Sequence, residues 1–270
     1  MSAGWRNLLA DLERVSTGAG RTSVGCFSIE GTRLHERALG AGIVPRAVLV
    51  GASEHARPSA RVLALLERLR AANCRIEIAP DAELLALTEG RRIGALVGLL
   101  PLPEPASLGA VLAAGPRAGH VVLVAADVED PGNVGALVRT ALASGARAYV
   151  AVGTGDPFHP RAVRTSMGSV FRLPLIRLRD AEALLEQARA LHLRTVAAVS
   201  RDGLAPGEIP RDRTVGLCVG SESRGLDPAL AGRLDARVTI PMTSAVDSYS
   251  VNAAAAILLW ELGPQRALRS

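Results

Sequence analysis

The chain contains no lysine, so arginine supplies all 31 of its basic residues. A phosphate-binding P-loop needs a lysine, and this absence excludes nucleotide hydrolases of that class. The formal net charge is +5 and the isoelectric point is about 10.0. Because guanidinium groups match the geometry of phosphates, this basic balance favours a polyanionic partner such as RNA.

Aromatic residues and cysteines are also scarce. Aromatics make up 3% of the chain against 49% hydrophobic residues, so the core must be built mainly from alanine, valine and leucine. Cys26, Cys74 and Cys218 lie far apart and form no metal or redox motif, and the five histidines show no metal-ligand spacing. Such sparse cysteine usage is typical of a reducing cytosol. We therefore expect a cytoplasmic protein without a bound metal.

Targeting and membrane signals are missing as well. Residues 1–20 contain no charged start followed by an apolar run, which argues against a signal peptide. Apolar runs elsewhere are too short to cross a bilayer. We expect no membrane association.

The chain divides into two α/β regions around a segment punctuated by proline and glycine. Residues 1–105 predict a small α/β/α unit, residues 106–118 a linker, and residues 119–270 a second domain. In the second domain strands alternate with helices of ordinary length, which predicts a parallel sheet covered on both faces. The predicted strands are 121–126, 148–152, 195–199, 214–219 and 237–241.

Three turns of the second domain are rich in polar residues where a strand leads into a helix, and parallel sheets bind ligands at that edge. The first turn carries Asn133, which we predict to be a helix N-cap, and Arg139, which lies off the buried stripe of its helix. The second carries Gly220 and Glu222, and its spacing fits a plain tight turn equally well. The third carries a helix start that hydroxyl and amide side chains could simply cap: Ser248, Ser250 and Asn252.

Taken together, these turns resemble three sequence motifs of the SpoU/TrmH family. The first run is Asn-x-Gly-x-x-x-Arg-Thr-Ala over 133–141, the second Gly-Ser-Glu-x-x-Gly-Leu over 220–226, and the third Ile-Pro-Met over 240–242 followed by Ser248. Residues 160–174 are similar to the family's segment between the first two motifs. The N-terminal region resembles the family's accessory RNA-binding domain, which has a ribosomal-protein-like fold.

Members of this family are RNA ribose 2′-O-methyltransferases of the SPOUT superfamily. The resemblance implies a deep trefoil knot in the C-terminal domain, a homodimer, and S-adenosyl-L-methionine as cofactor. It also implies that the cofactor lies against the backbone of several residues that follow the strands. They are Val199, Gly220, Ile240, Met242, Tyr249 and Ser250.

The resemblance likewise assigns roles to four catalytic candidates. Arg139 is the proposed catalytic residue, but a guanidinium is a poor general base because it keeps its proton. Holding an RNA phosphate and favouring loss of the ribose hydroxyl proton electrostatically is the better role. Asn133 would order its loop, Glu222 would position Arg139 or the substrate, and Ser248 would support the cofactor or the incoming nucleotide.

One departure from the family pattern concerns the third motif. The common run is Ser-Leu-Asn-Val-Ser, whereas this chain has Ser-Tyr-Ser-Val-Asn over 248–252, so serine and asparagine have exchanged places. Two positions along a helix correspond to a rotation of about 200°. Asn252 therefore cannot simply replace an amide at position 250, and the roles of Ser250 and Asn252 stay open.

The expected substrate is structured RNA, with 23S-type ribosomal RNA first and transfer RNA second. Candidate phosphate contacts are Arg21, Arg91, Arg92 and Arg164, although each could be an ordinary solvated arginine. One alternative is a non-catalytic RNA-binding or assembly protein that retains the fold. Another is a base methyltransferase of the same superfamily. A dinucleotide-binding oxidoreductase and a serine hydrolase fit poorly, because their glycine-rich turns are missing.

Overall fold

The computed structural model describes residues 4–91, 96–115, 118–243 and 245–264, and the chain packs into two compact units. The first comprises the chain up to Glu104 together with Phe158–Phe171, and the second comprises Pro105–Pro157 with the chain from Arg172 onward. The sequence places the boundary at residue 105, whereas the segment Phe158–Phe171, which the prediction includes in the second domain, groups with the first unit. It packs with the first unit because its aromatic rings meet Phe27, whose ring centroid lies 5.1 Å from that of Phe158. Residues 116 and 117 of the predicted linker lie outside the described residues.

The first unit is built on a four-stranded mixed sheet in the order β1-β4-β2-β3. Strand β2 is parallel to β3 and antiparallel to β4, and β4 is antiparallel to β1. Its elements are α1 (Gly4–Arg14), α2 (Gly18–Val24), β1 (Cys26–Glu30), α3 (Thr32–Gly40), β2 (Ala47–Gly51), α4 (Ala52–Ala56), α5 (Ala60–Ala71), β3 (Arg75–Ala79), α6 (Asp81–Leu87) and β4 (Leu96–Pro101).

Helices cover both faces of this sheet. Trp5, Leu8 and Leu12 of α1 pack on one face, in a cluster that also contains Leu49 and Leu99. On the other face, the apolar stripe of α5 packs against β2. Thr17 caps a short helix that runs to Val24, and β1 begins directly after Gly25, at Cys26.

The second unit is built on a six-stranded sheet, parallel throughout, in the order β10-β8-β9-β5-β6-β7. Its central strands are buried on both faces, which explains their continuous apolar sequence. Its elements, with α9 of the first unit in its place in the chain, are α7 (Leu108–Ala113), β5 (Val121–Ala126), α8 (Pro131–Ala143), β6 (Tyr149–Val152), α9 (Pro160–Thr165), β7 (Leu175–Leu178), α10 (Ala181–Ala190), β8 (Arg194–Ala198), β9 (Val215–Val219), α11 (Pro228–Ala231), β10 (Ala236–Val238) and α12 (Val251–Leu262).

All five strands predicted for the second domain are present, and the parallel arrangement is confirmed. Strand β7 was missed because it is only four residues long, follows Pro174 and carries an exposed arginine at 177. Along the described part of the chain, no helix is both long and apolar enough to cross a membrane.

One buried histidine links the packing of the first unit to pH. His35 is fully buried, and its Nδ1 donates to the carbonyl of Gly31 at 2.8 Å. Its Nε2 faces Gly98, where an added Cβ would lie 2.5 Å away, and has no partner among the described residues. Burial lowers the pKa of His35 from 6.5 to about 4. The folded protein therefore holds this imidazole neutral at a pH where the unfolded chain protonates it.

We expect acidification to destabilise the protein through His35. Between pH 6.5 and about 4 His35 binds a proton in the unfolded state but not in the folded state. The free energy of unfolding therefore falls as the pH falls. The loss amounts to about 3 kcal/mol over that window. Urea titrations of the wild type and His35→Gln across this range measure it, because the carboxylates common to both cancel. Equal pH slopes in the two proteins would contradict a neutral buried His35.

Candidate active site

A cavity of about 440 Å³ lies where β8 and β9 end, and the segment between β10 and α12 closes it. This volume is within the range of about 300–1,000 Å³ typical of small-molecule sites. Five of the six residues predicted to hold the cofactor line the cavity: Val199, Gly220, Ile240, Met242 and Tyr249. Ser250, the sixth, does not line it. Two catalytic candidates, Glu222 and Ser248, are part of the wall.

The loop after β9 forms one wall of this cavity as a tight turn closed on itself. The amide of Gly225 donates to the carbonyl of Ser221 at 2.8 Å, and Gly225 has a φ of +68°. A Cβ built on Gly220 would lie 2.1 Å from the Gly225 carbonyl oxygen. The glycine at 220 is therefore required by the other arm of the turn, which agrees with the tight turn that its spacing fits.

The start of α8 differs from the prediction, and the difference determines which bonds the Asn133 side chain makes. Asp130 is the N-cap, with its carboxylate accepting from the amide of Asn133 at 2.9 Å, and Pro131 opens the helix. The prediction of Asn133 as N-cap is wrong because Asp-Pro forms an earlier start. Since Asn133 is not needed as a cap, its Nδ2 donates to Oε2 of Glu222 at 2.9 Å.

The start of α12 completes a chain of hydrogen bonds across the three motifs. Ser250 is the N-cap, and its hydroxyl accepts from the amide of Ala253 at 3.3 Å. Asn252, in the first turn, donates from Nδ2 to Oδ1 of Asn133 at 3.0 Å. Asn252, Asn133 and Glu222 thus form one connected row ending at the cavity wall. The only signal for Asn252 in the sequence was its exchange with serine.

A second link between the same loops was not predicted. Arg224, which also lines the cavity, forms an ion pair with Glu129 at 2.9 Å. Both side chains are largely solvent-exposed, so the pair stabilises the loops only weakly. Its position nevertheless places a cationic side chain at the mouth of the cavity.

Arg139 lies on the exposed side of α8, as its position off the buried stripe predicted. The structure gives it no hydrogen bond or ion pair within the described residues, and it is not part of the cavity wall. Glu222 bonds to Asn133, and it makes no hydrogen bond or ion pair with Arg139 in the described part of the chain. Arg139 is therefore positioned by its helix alone and presents its guanidinium to solvent.

Burial raises the pKa of the cysteine thiols in both units. Cys218 is buried in β9 beneath the cavity-forming loop, and burial raises its pKa to about 12, so it is a neutral thiol. Burial likewise raises the pKa of Cys74 to about 11. Among the residues that the structure describes, no group of three or more His, Cys, Asp or Glu side chains could hold a metal ion.

The candidate RNA contacts of the first unit are engaged with the protein itself. Arg21 is 4% exposed and donates to the carbonyls of Val15 and Ser16 at 2.8 and 3.0 Å. This corrects its prediction as a phosphate contact, because it instead satisfies carbonyls just beyond the end of α1. Arg91 and Arg164 both pair with Glu30, at 3.3 and 3.4 Å. Arg92 lies outside the described residues.

Comparison with protein families and curated relatives gives one consistent result. The model of the family described as SpoU rRNA Methylase matches residues 120–260. A Bacillus subtilis protein named 23S rRNA (guanosine(2553)-2′-O)-methyltransferase RlmP is 31% identical over 253 residues, which covers 93% of this chain and 94% of the relative.

Solved structures resemble the whole chain. An AdoMet-bound rRNA methyltransferase from Sinorhizobium meliloti matches with a TM-score of 0.81 at 26% identity, covering 100% of this chain and 98% of that one. The SpoU methyltransferase AviRb from Streptomyces viridochromogenes, in complex with AdoMet, matches with a TM-score of 0.84 over 99% of both chains. At 23% identity the second match shows the fold alone.

Proposed function

We infer that this chain methylates a ribose 2′-hydroxyl of RNA, because it belongs to the SpoU rRNA Methylase family, whose model covers residues 120–260. It is an enzyme, and S-adenosyl-L-methionine is its methyl donor. The observation that carries this function is the cavity of about 440 Å³, which the second and third motifs line and the first motif reaches through the Asn133–Glu222 bond. A protein that had kept only the fold for RNA binding would need no such arrangement.

The cavity wall fits this donor. Val199, Ile240 and Leu258 offer apolar surface for an adenine ring, and Ser221 and Ser248 offer hydroxyls for polar groups. S-adenosyl-L-methionine supplies a methyl group already activated by the positive charge on its sulfur. We propose Val199, Gly220, Ile240, Met242 and Tyr249 as the residues that hold it, with Ser250 acting indirectly as the cap of α12.

The protein must then orient the ribose and assist removal of its hydroxyl proton. We assign Arg139 to hold an RNA phosphate and to stabilise negative charge developing on the 2′-oxygen. Asn133 fixes Glu222 at the cavity wall. Because Glu222 bonds to Asn133, we assign Glu222 to orient the substrate and not to position Arg139. Ser248 contacts the donor or the incoming nucleotide.

A homodimer would bring these groups together. Arg139 is exposed on α8 and lies outside the cavity wall of its own chain, which favours a site that two copies complete. Helix α12 packs beside α8 and carries Trp260, which is 41% exposed and suits a subunit contact. Sedimentation at assay concentration tests this arrangement. An active monomer would contradict it.

The remaining parts of the proposal follow from the family resemblance. We propose that the first unit binds RNA substrate and that the chain between β9 and α12 forms a trefoil knot. Both loops that would take part in the knot line the same cavity. Arg91 and Arg164 remain candidates for phosphate contact, provided that RNA competes with Glu30 for them. A cytoplasmic location follows from the RNA substrate.

Ribosomal RNA of the large subunit is the preferred substrate, because the B. subtilis relative that matches nearly the whole chain is named for 23S rRNA. Transfer RNA is second. A base methyltransferase is the remaining alternative, and it would leave the ribose unmodified.

Transfer of tritiated methyl groups to ribosomal and transfer RNA, assayed in parallel, tests the function. We expect label in ribosomal RNA, and we expect nuclease digestion to release it as a 2′-O-methylated nucleotide that resists alkaline hydrolysis. Label on a base would establish the base-methyltransferase alternative. Absence of both label and measurable donor binding would refute the enzyme assignment.

A further inference from the structure

Glu222 determines the donor-to-acceptor direction of both hydrogen bonds that the Asn133 side chain makes. A carboxylate accepts hydrogen bonds and donates none, so the Asn133 group 2.9 Å from Glu222 must be its amide nitrogen. Oδ1 of Asn133 therefore points the other way, toward Asn252 at 3.0 Å. Because Oδ1 can only accept, Asn252 must present its own nitrogen. Every donor in the row thus points toward Glu222.

The exchange in the third motif gives serine and asparagine separate tasks. The Ser250 hydroxyl caps α12 through the amide of Ala253. Asn252 lies about 200° around the helix axis from position 250 and reaches α8 at Asn133. A serine at 252 would be too short to span the same gap. The order Ser-Val-Asn at 250–252 therefore places the asparagine amide on a different side of α12, where it bonds to Asn133.

The hydrogen bond to Asn133 gains little folding stability for Asn252, because the same side chain carries an unsatisfied oxygen. Oδ1 of Asn252 is buried and has no hydrogen-bond partner within the described part of the chain, which is unfavourable for folding. A small apolar residue would avoid that defect, and alanines follow directly at 253–256. The asparagine is one of only four in the chain, and two of those four bond to each other here.

We propose that Asn252 is a positioning residue for methyl transfer. It holds the Asn133 amide in the one orientation that donates to Glu222, and so fixes the carboxylate at the cavity wall. Asn252 does not line the cavity itself, so it acts on turnover and leaves donor binding to other residues. This inference rests on the proposed function of the same site.

Asn252→Asp tests the proposal because it preserves shape and replaces a donor with an acceptor. The new carboxylate would face Oδ1 of Asn133, so the Asn133 amide should turn and Glu222 should lose its donor. We expect kcat to fall by about tenfold or more, while the Kd for S-adenosyl-L-methionine stays within a factor of about three. Gln187→Glu, on α10 of the same unit and outside the cavity wall, makes the same amide-to-carboxylate change as a control and should retain wild-type kcat.

A pH profile separates positioning from general damage. Once protonated, the carboxyl group introduced at position 252 can donate, so the kcat of Asn252→Asp should approach that of the wild type as the pH falls, whereas the ratio for Asn252→Ala should not change. The neighbouring carboxylates Glu129 and Asp130 are common to all three proteins, and Asn252→Ala, which also lets the Asn133 amide turn from Glu222, controls for a changed titration of Glu222. Wild-type kcat in Asn252→Asp, or an equal deficit at every pH, would overturn the proposal.

A crystal structure of Asn252→Asp keeps the proposal distinct from the proposed function. If the wild type transfers no methyl group to any RNA, the proposed function is refuted. The crystal structure of Asn252→Asp then tests by itself whether Asn252 positions the Asn133 side chain. An Asn133 side chain turned away from Glu222 supports it. An unchanged Asn133–Glu222 bond overturns it.

Discussion

Replacing Arg139 with alanine should reduce kcat for methyl transfer by a factor on the order of 10²–10³, as removal of one charge-stabilising donor does in other enzymes. The side chain is exposed and makes no hydrogen bond or ion pair with the described chain, so its loss leaves the fold intact. It also lies outside the cavity wall, so the Kd for S-adenosyl-L-methionine should not change. Single-turnover kinetics with saturating RNA, together with calorimetric donor titration, measure the two effects separately.

Two further variants sharpen this test. Arg139→Lys keeps the charge and loses the planar fork, so partial activity would indicate that charge dominates over bidentate geometry. Arg189→Ala removes an exposed arginine from α10, another helix of the same unit, and should behave as wild type. Equal activity losses in Arg139→Ala and Arg189→Ala would mean that Arg139 contributes only general positive charge.

The sheet of the second unit was predictable because its strands carry a strong physical signal. Strands buried on both faces must be continuously apolar, and β5 and β9 are buried along their whole lengths. The edge strand β7 has no such signal, since Arg177 faces solvent and only four residues pair with β6. Burial, rather than strand propensity, therefore determined which strands could be predicted from the sequence.

The candidate site was predictable in its loops but not in its hydrogen bonds. Gly220, Ile240 and Met242 line the cavity because each follows a parallel strand at the ligand-binding edge. Asn133 was misassigned as a cap because its spacing suits that role, while Asp130 and Pro131 form a better start three residues earlier. Which partner an asparagine chooses depends on side chains more than a hundred positions away in the sequence.

The partners of the arginines in the first unit were likewise not predictable from the sequence. Composition alone made Arg21 a plausible phosphate contact, but it is buried against the carbonyls of Val15 and Ser16. Glu30 is only 8% exposed and forms ion pairs with both Arg91 and Arg164. A buried carboxylate needs cationic partners, and no local pattern identifies which cations will provide them.

Gly220→Ala is expected to abolish tight donor binding. Its Cβ would meet the Gly225 carbonyl oxygen at 2.1 Å and the Leu226 nitrogen at 2.2 Å, all backbone atoms that no rotamer change can move aside. The turn must open, which costs about 1–3 kcal/mol of stability. Because residues 219–226 form one wall of the cavity, we expect the Kd for S-adenosyl-L-methionine to rise more than about tenfold, or about 1.4 kcal/mol.

Gly207→Ala is the matched control for this variant. Gly207 lies in the same unit, its added Cβ meets nothing within 4 Å, and its φ is not positive. That substitution should be neutral or stabilise slightly, by about 0.4–1 kcal/mol, by restricting the unfolded chain. Thermal unfolding of both variants and calorimetric titration with the donor distinguish the cases. If Gly220→Ala binds the donor as tightly as Gly207→Ala, the turn is not the wall that shapes the donor site, and the cavity must accept the ligand elsewhere along β8 and α12.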